Sequence, residues 1–465
     1  MIDMKLLYNN NSDHMMLKEQ LLKGRARIGV WGCGYIGQTT AIAFAARGVK
    51  ALCYDIDRNI VEQLRSGQSH IPNLEYWLGF PVAPLARDGL LDATDERNKM
   101  ADKDLAVHFI AVPTEKDGEP YDAALIDVVD SLKQINPNLV IIESTLTANK
   151  IDELNTGSLP VGVAPRRDWF SSPEQNLQNL ARIYAGPDLE TNDKIRDVLS
   201  IVCNNLIAAS SRKVATLVKA VENSLLHLPA VYAMQLARAY PNLDVLEVLN
   251  LASTHWRINK YFSSMGTGGY CIPLSSKYVL DGAEKQEELS LLREAVKYDR
   301  EQPSFVADLL TCCGARSVAI LGITYKGDLK VHTLSPALTI ISHARENGIK
   351  VGVYDPYYTE EELLKITGAA TISFPEDLKS YDAIIIVPDH RVFRQIPSER
   401  LFSRLRKDQI ILDNLGVWEH LRSDLEEHGL FYRRIGDRNW STLPRRTEST
   451  QMQPNVQQFA AGTVK

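Results

Sequence analysis

The stretch Arg27–Gly48, RIGVWGCGYIGQTTAIAFAARG, decides the fold of this 465-residue chain. It opens as a short buried strand, turns through Gly32, Gly34 and Gly37, and continues as a helix that stops at Gly48. A second strand, VKALCYDID, follows and completes a β-α-β unit. In the G-x-G-x-x-G turn the first glycine permits the tight bend. The second lets a pyrophosphate approach the backbone, and the third allows close helix–strand packing. Free N–H groups at the helix start, around Tyr35 and Ile36, face an anion there. Asp55 ends the second strand, where a carboxylate bonds ribose hydroxyls and repels a 2′-phosphate. The expected cofactor is therefore NAD rather than NADP, with Arg58 close enough to soften that preference.

Outward from this unit, LAVHFIAV, LVIIEST and VGVA read as further buried strands separated by helical patterns. Strands alternating with helices imply a parallel sheet covered on both faces. Near Ser210 the texture changes. Val214, Leu217, Val218, Val221, Leu225 and Leu228 recur at helical spacing, with Pro229 expected to kink or interrupt the helix. From Arg316 the α/β texture returns in SVAILGITYKGD, SPALTIISHARENG, IKVGVYDPYY, YDAIIIVP and QIILDN. The two α/β regions are not sequence repeats, because the second lacks the three-glycine turn. The expected division is 24–208, 209–305 and 315–440, with a polar, aperiodic and disordered tail at 441–465.

Composition narrows the function. A net charge of −6 with no basic block argues against a nucleic-acid partner. No apolar run approaches the ~20 residues that span a bilayer, and the N-terminus lacks a signal-peptide pattern. A cytoplasmic protein without membrane association is expected. The six cysteines show neither C-x-x-C pairing nor zinc spacing, so no metal is expected.

A second glycine-rich passage, GTGGYCIP at 266–273, has no strand before it. Its glycines leave the Cys271 sulfur uncrowded and have no packing purpose visible in the sequence. The plainer alternative is a buried structural cysteine. Beside a nicotinamide site, however, a thiolate can capture an aldehyde as a thiohemiacetal and carry it on to a thioester. Lys219 and Asn223 lie four apart on the middle helix and share a face, suited to stabilising an oxyanion or simply to meeting solvent.

Together these passages resemble the nucleotide-sugar dehydrogenases that oxidise UDP-glucose, UDP-N-acetylhexosamines or GDP-mannose to uronic acids. The resemblance runs from about Gly24 to Asn439. It rests on the glycine turn, AVPT (111–114), EST (143–145), K-x-x-E-N (219–223), THWR (254–257), GTGGYCIP, LGITYKGD (321–328), VYDP (353–356) and PDH (388–390). THWR and the opening before the glycine turn look more like the UDP-N-acetylhexosamine branch.

The resemblance implies an α/β architecture: an N-terminal Rossmann domain for NAD, a helical central dimerisation segment, and a C-terminal Rossmann-like domain gripping the nucleotide sugar. It implies a homodimer or higher homo-oligomer. It also implies Cys271 as nucleophile, with Lys219 and Asn223 on the oxyanion. Thr114 and Thr145 would line nicotinamide and substrate. Arg257, Gly268, Gly269, Tyr325 and Lys326 would contact the substrate.

Departures from the family pattern fall on the chemistry. Arg166 stands where the family has a glutamate, Ser275 replaces an aspartate, Thr333 an arginine, and Leu226 and Pro229 an arginine and an asparagine. Arg166 cannot act as a base near neutral pH but could bind a further anionic group of the substrate. Two alternatives therefore stand beside the four-electron oxidation: a diverged enzyme making a partial or different oxidation, and a non-catalytic nucleotide-sugar-binding relative.

Overall fold

A computed structural model describes residues 12–71, 74–168 and 175–445. The chain divides into two compact units. One holds the residues up to Glu222 together with Lys277–Gln286, and the other holds Asn223–Ser276 and the residues from Glu287 onward.

In the first unit a sheet of six strands runs, edge to edge, Leu91–Thr94, Ala51–Tyr54, Arg27–Trp31, Leu105–Ile110, Leu139–Ile142 and Val161–Val163. Every pairing is parallel. In chain order this is 3-2-1-4-5-6, the doubly wound arrangement, with its switch point beside the first strand. Both faces are covered, so the strands carry near-continuous apolar runs. Ile28, Val30, Val107, Phe109 and Ile141 pack with Ile42 and Phe44 of the helix Tyr35–Ala45. Trp31, Leu52, Ile110, Val140 and Ile142 build the opposite core.

The second unit repeats the topology. Its parallel strands run Ala370–Thr371, Lys350–Tyr354, Ser317–Leu321, Ala383–Ile386, Ile410–Asp413 and Phe431–Arg434, again 3-2-1-4-5-6. The helix after its first strand, Pro336–Glu346, begins with Pro336 at its first position, and the Ser335 side chain accepts from the Ala337 N–H.

Between the two sheets in sequence lie the helices Arg212–Ala239, Val245–Ala252, Ile272–Asp281 and Ser290–Cys312. Of the two outcomes expected at Pro229, a kink or an interruption, the interruption does not occur, because the first of these helices continues through it. A proline inside a helix removes one N–H, here the partner of the Leu225 carbonyl. Trp440, just before the expected tail, is buried with its indole N–H on the Ala237 carbonyl at 3.0 Å, and Leu443, inside the expected tail, is buried too. The remainder of the tail, from Arg446, lies outside the described residues. Among the described residues no helix is long and apolar enough to cross a membrane.

Candidate active site

The glycine turn has the shape of a phosphate cradle. Gly32 has φ +91°, and a Cβ on it would stand 2.7 Å from the Ala111 carbonyl oxygen. A Cβ on Gly37 would come within 1.8 Å of the Gly32 carbonyl oxygen, so neither position admits a side chain. Gly34 faces open space, and no described side chain caps the helix that starts at Tyr35. Asp55 accepts from the backbone N–H of Cys33 at 2.7 Å and of Asp57 at 3.0 Å. The carboxylate is thus fixed at the strand end yet only half-buried, with lone pairs left for ribose hydroxyls. Arg58 is exposed and points its Nε at Asp95, 2.9 Å away. The residues present fit a dinucleotide.

Thr114 and Thr145 do come together, as the Thr114 hydroxyl donates to the Thr145 carbonyl at 2.6 Å. Sequence reasoning missed their third partner. The Tyr278 hydroxyl reaches the Thr114 carbonyl and hydroxyl, and burial pushes its pKa up to about 12. Lys277 beside it holds the Gly118 carbonyl at 2.6 Å and the Glu119 carboxylate at 2.6 Å. Nothing in the spacing of these residues signals the pairing, because more than 150 positions separate them.

Arg166, expected to contact the substrate, is engaged within the protein. It is buried, and all five of its donors have acceptors within the first unit. Nε and Nη2 grip Asp168 at 2.6 Å each, Nη1 meets Thr40 Oγ1 at 2.6 Å and the Ile36 carbonyl at 3.4 Å, and Nη2 meets Thr39 Oγ1 at 3.0 Å. A guanidinium satisfied in this way has no donor left for a substrate. The network continues from the Thr40 hydroxyl to Glu143 at 2.6 Å, and Glu143 pairs with Arg182. Burial acts to raise the Asp168 pKa, but the Arg166 guanidinium outweighs it and holds the carboxyl below its ordinary value. The nearby APRRD sequence contains the pair two residues apart, and this was the one available signal.

The cysteine passage corrects a second expectation. Its glycines do have a packing purpose. A Cβ on Gly268 would stand 2.5 Å from Tyr325 Cβ, and one on Gly269, at φ +80°, would strike the Tyr325 ring at 2.8 Å. The chain therefore lies flat against Tyr325, and the Gly269 N–H donates to the Thr333 carbonyl at 2.9 Å. Cys271 is exposed at the start of the helix Ile272–Asp281, one of two exposed thiols with Cys312. Burial, and next the neighbouring Cys271, push the Tyr325 hydroxyl up to about 12.

Asn223 and Lys219 are half-buried one turn apart on the long helix, and the Asn223 amide donates to the buried Ser275 hydroxyl at 2.9 Å. Lys326 is half-buried, and burial lowers its pKa against the pull of Asp389. Arg257 lies exposed with its guanidinium 4.7 Å from the centre of the Trp256 ring.

Comparison with known proteins matches the UDP-glucose/GDP-mannose dehydrogenase family in three consecutive pieces. Its NAD binding domain covers residues 26–165, its central domain 213–301 and its UDP binding domain 319–420. NAD is accordingly the cofactor. The UDP-N-acetyl-D-mannosamine dehydrogenase of Methanococcus aeolicus is 28% identical over 454 residues, spanning 92% of this chain and 99% of that one. The namesake enzyme of Pyrococcus horikoshii is 28% identical over 418 residues, spanning 84% and 96%. The solved structure of the Pyrococcus horikoshii UDP-D-ManNAc dehydrogenase superimposes with a TM-score of 0.77 at 26% identity, covering 89% of this chain and all of that one.

Proposed function

Since the chain belongs to the UDP-glucose/GDP-mannose dehydrogenase family, we propose that it oxidises the primary alcohol of a UDP-N-acetylhexosamine to a uronic acid, using Cys271 as a covalent nucleophile. The observation that carries this reading is the exposed Cys271 on a glycine segment pressed against Tyr325, with Asn223 bonded to Ser275 four residues beyond it. The names of the relatives support the N-acetylhexosamine branch.

NAD bound at the glycine turn supplies a hydride acceptor, once for each of two oxidations. The chain's residues do the remainder. At the aldehyde level, Cys271 Sγ bonds the carbonyl carbon, giving a thiohemiacetal whose oxygen Lys219 and Asn223 stabilise as donors. The second oxidation leaves a thioester. Water then adds to the acyl carbon, the thiolate departs, and a carboxylate results. Thr114 and Thr145 position nicotinamide and substrate, while Lys326 and Arg257 serve as cationic contacts for the diphosphate or sugar. The active form is a homodimer or higher homo-oligomer in the cytoplasm.

Arg166 and Ser275 favour a second reading. Hydrolysis of a thioester needs a base for water, and these positions offer a sealed guanidinium and a hydroxyl. In that case the enzyme stops at a partial oxidation or accumulates acyl-enzyme. Product stoichiometry separates the two. The first reading expects two NADH per uronic acid, lost in Cys271→Ser. One NADH per turnover with a trappable carbonyl product supports the second. No NADH from any nucleotide sugar would overturn both.

A further inference from the structure

The cysteine segment is fastened at both ends by one buried histidine–aspartate pair. At its front, the Asp299 carboxylate accepts the Thr267 N–H at 2.8 Å on Oδ1 and the Thr267 hydroxyl on Oδ2. At its back, the Ser276 hydroxyl lies 2.8 Å from His227 Nδ1. His227 Nε2 is 3.1 Å from Asp299 Oδ2 and closes the ring. Cys271 lies between the two fastened residues, four positions after Thr267 and five before Ser276.

A carboxylate only accepts, so His227 donates from Nε2 to Asp299, while its Nδ1 meets the Ser276 hydroxyl. His227 and Ser276 have no exposed surface and Asp299 has 7%, so water does not compete for these bonds. A buried polar chain of this kind orders its surroundings when every member is satisfied. The segment it encloses needs ordering. Gly268 and Gly269 give the backbone more freedom than any other residue would, and Gly269 uses it at φ +80°.

We propose that His227 and Asp299 act as a clasp that sets the position of the Cys271 thiol, making His227 a positioning residue for covalent capture of the substrate. The inference rests on the reading of Cys271 as nucleophile. His227 and Asp299 touch the segment only at its ends, through Ser276 and Thr267, and leave the thiol itself free.

The test uses the full-length protein with His227→Ala, Asp299→Asn and the milder Ser276→Ala. Hydrogen exchange read by mass spectrometry reports on the clasp without any substrate. Amides of 267–276 should exchange at least tenfold faster in His227→Ala, with those of both sheets unchanged. The kcat for NADH formation should fall at least tenfold while KM for NAD stays within twofold, a split that general loosening would not give. Ser276→Ala should show both effects in smaller measure, and it decides the question if His227→Ala fails to fold. Unchanged exchange in 267–276 would overturn the clasp. Faster exchange with unaltered kcat would overturn its positioning role. If the parent makes no NADH from any nucleotide sugar, the nucleophile reading fails, and the exchange measurement still judges the clasp on its own.

Discussion

Asp55 accepts the Cys33 N–H at 2.7 Å, and Asp355 accepts the Ile323 N–H at 2.9 Å, each one residue past a glycine in the left-handed region, Gly32 at φ +91° and Gly322 at φ +86°. Each carboxylate also accepts from the residue two positions on, Asp57 at 3.0 Å and Tyr357 at 2.9 Å. The same turn is thus built twice, once in each sheet. The copies differ in what reaches the carboxylate from outside. Asp355 is buried and meets His390 Nε2 at 3.3 Å, whereas Asp55 keeps an open edge.

This difference sets the first prediction. Asp55→Ala should weaken NADH binding by at least tenfold, read by fluorescence titration, because it removes both a ribose acceptor and the brace of the turn. Asp355→Asn should lower stability and leave NADH affinity within twofold. Equal losses of affinity in the two variants would show that the copies are not functionally distinct.

Coenzyme choice gives a second prediction. Arg58 is paired with Asp95 at 2.9 Å, but it is largely exposed, and exposed pairs contribute about 0–1 kcal/mol. Releasing it with Asp95→Ala should improve NADPH affinity by about fivefold at most. Asp55 remains the dominant barrier to a 2′-phosphate. A larger gain in the titration would transfer that role to Asp95.

Breaking the buried Arg166–Asp168 pair is the third test. Removing one partner of such a pair leaves an uncompensated charge, typically about 3–5 kcal/mol of destabilisation. Asp168→Ala should show a loss of that order in urea unfolding. The Asp168 carboxyl is held below its ordinary value, so its contribution is present above the usual aspartate range and fades as pH falls through the native value. The gap between parent and variant should therefore narrow in acid.

His108 supplies a fourth prediction, also read through pH. Burial depresses its pKa to about 4, and its Nδ1 accepts the Trp31 indole N–H at 3.1 Å. Between about 6.5, the ordinary value, and 4 the unfolded chain binds a proton that the native state refuses. Stability should fall as pH drops through this window, by up to about 1.4 kcal/mol per pH unit from this group. His108→Gln keeps an acceptor for Trp31, and its unfolding free energy should vary less between pH 7 and pH 5. An identical pH dependence would remove His108 from the account.

Gly269→Ala tests the cysteine segment directly. The added methyl meets the Tyr325 ring at 2.8 Å, and φ +80° strains any side chain. The expected result is a kcat at least tenfold lower with NADH affinity unchanged. Near-parental kcat would show that the flat packing is dispensable.

The sequence was most legible where chemistry depends on neighbouring residues. Gly32, Gly34, Gly37 and Asp55 lie within one β-α-β unit, so local spacing was enough to place the turn and its carboxylate. The central strands of both parallel sheets were readable because each is a short continuous apolar run, whereas Leu91–Thr94, Ala370–Thr371 and Phe431–Arg434 were not, being short or partly polar. Partners distant in sequence were not readable. Tyr278 meets Thr114, and Asp299 meets His227 and Thr267, only through folding. Arg166 suggested an anion contact because a guanidinium stands where the resemblance expects a glutamate, and only the fold shows Asp168 folded back onto it. The second copy of the turn was hidden because the brace by Asp355 needs one glycine where a dinucleotide cradle needs three.

The buried chain Asp168–Arg166–Thr40–Glu143–Arg182 also constrains how the protein can change. Exchanging Arg166 for a glutamate in one step would crowd that acid against Asp168 and Glu143, leaving Arg182 as the one cation of the chain to balance three acids. Placing at this position the acid that the family resemblance leads one to expect thus calls for at least one accompanying change, Asp168 first among them. A single substitution to an acid at position 166 is therefore disfavoured by the charges already buried around it.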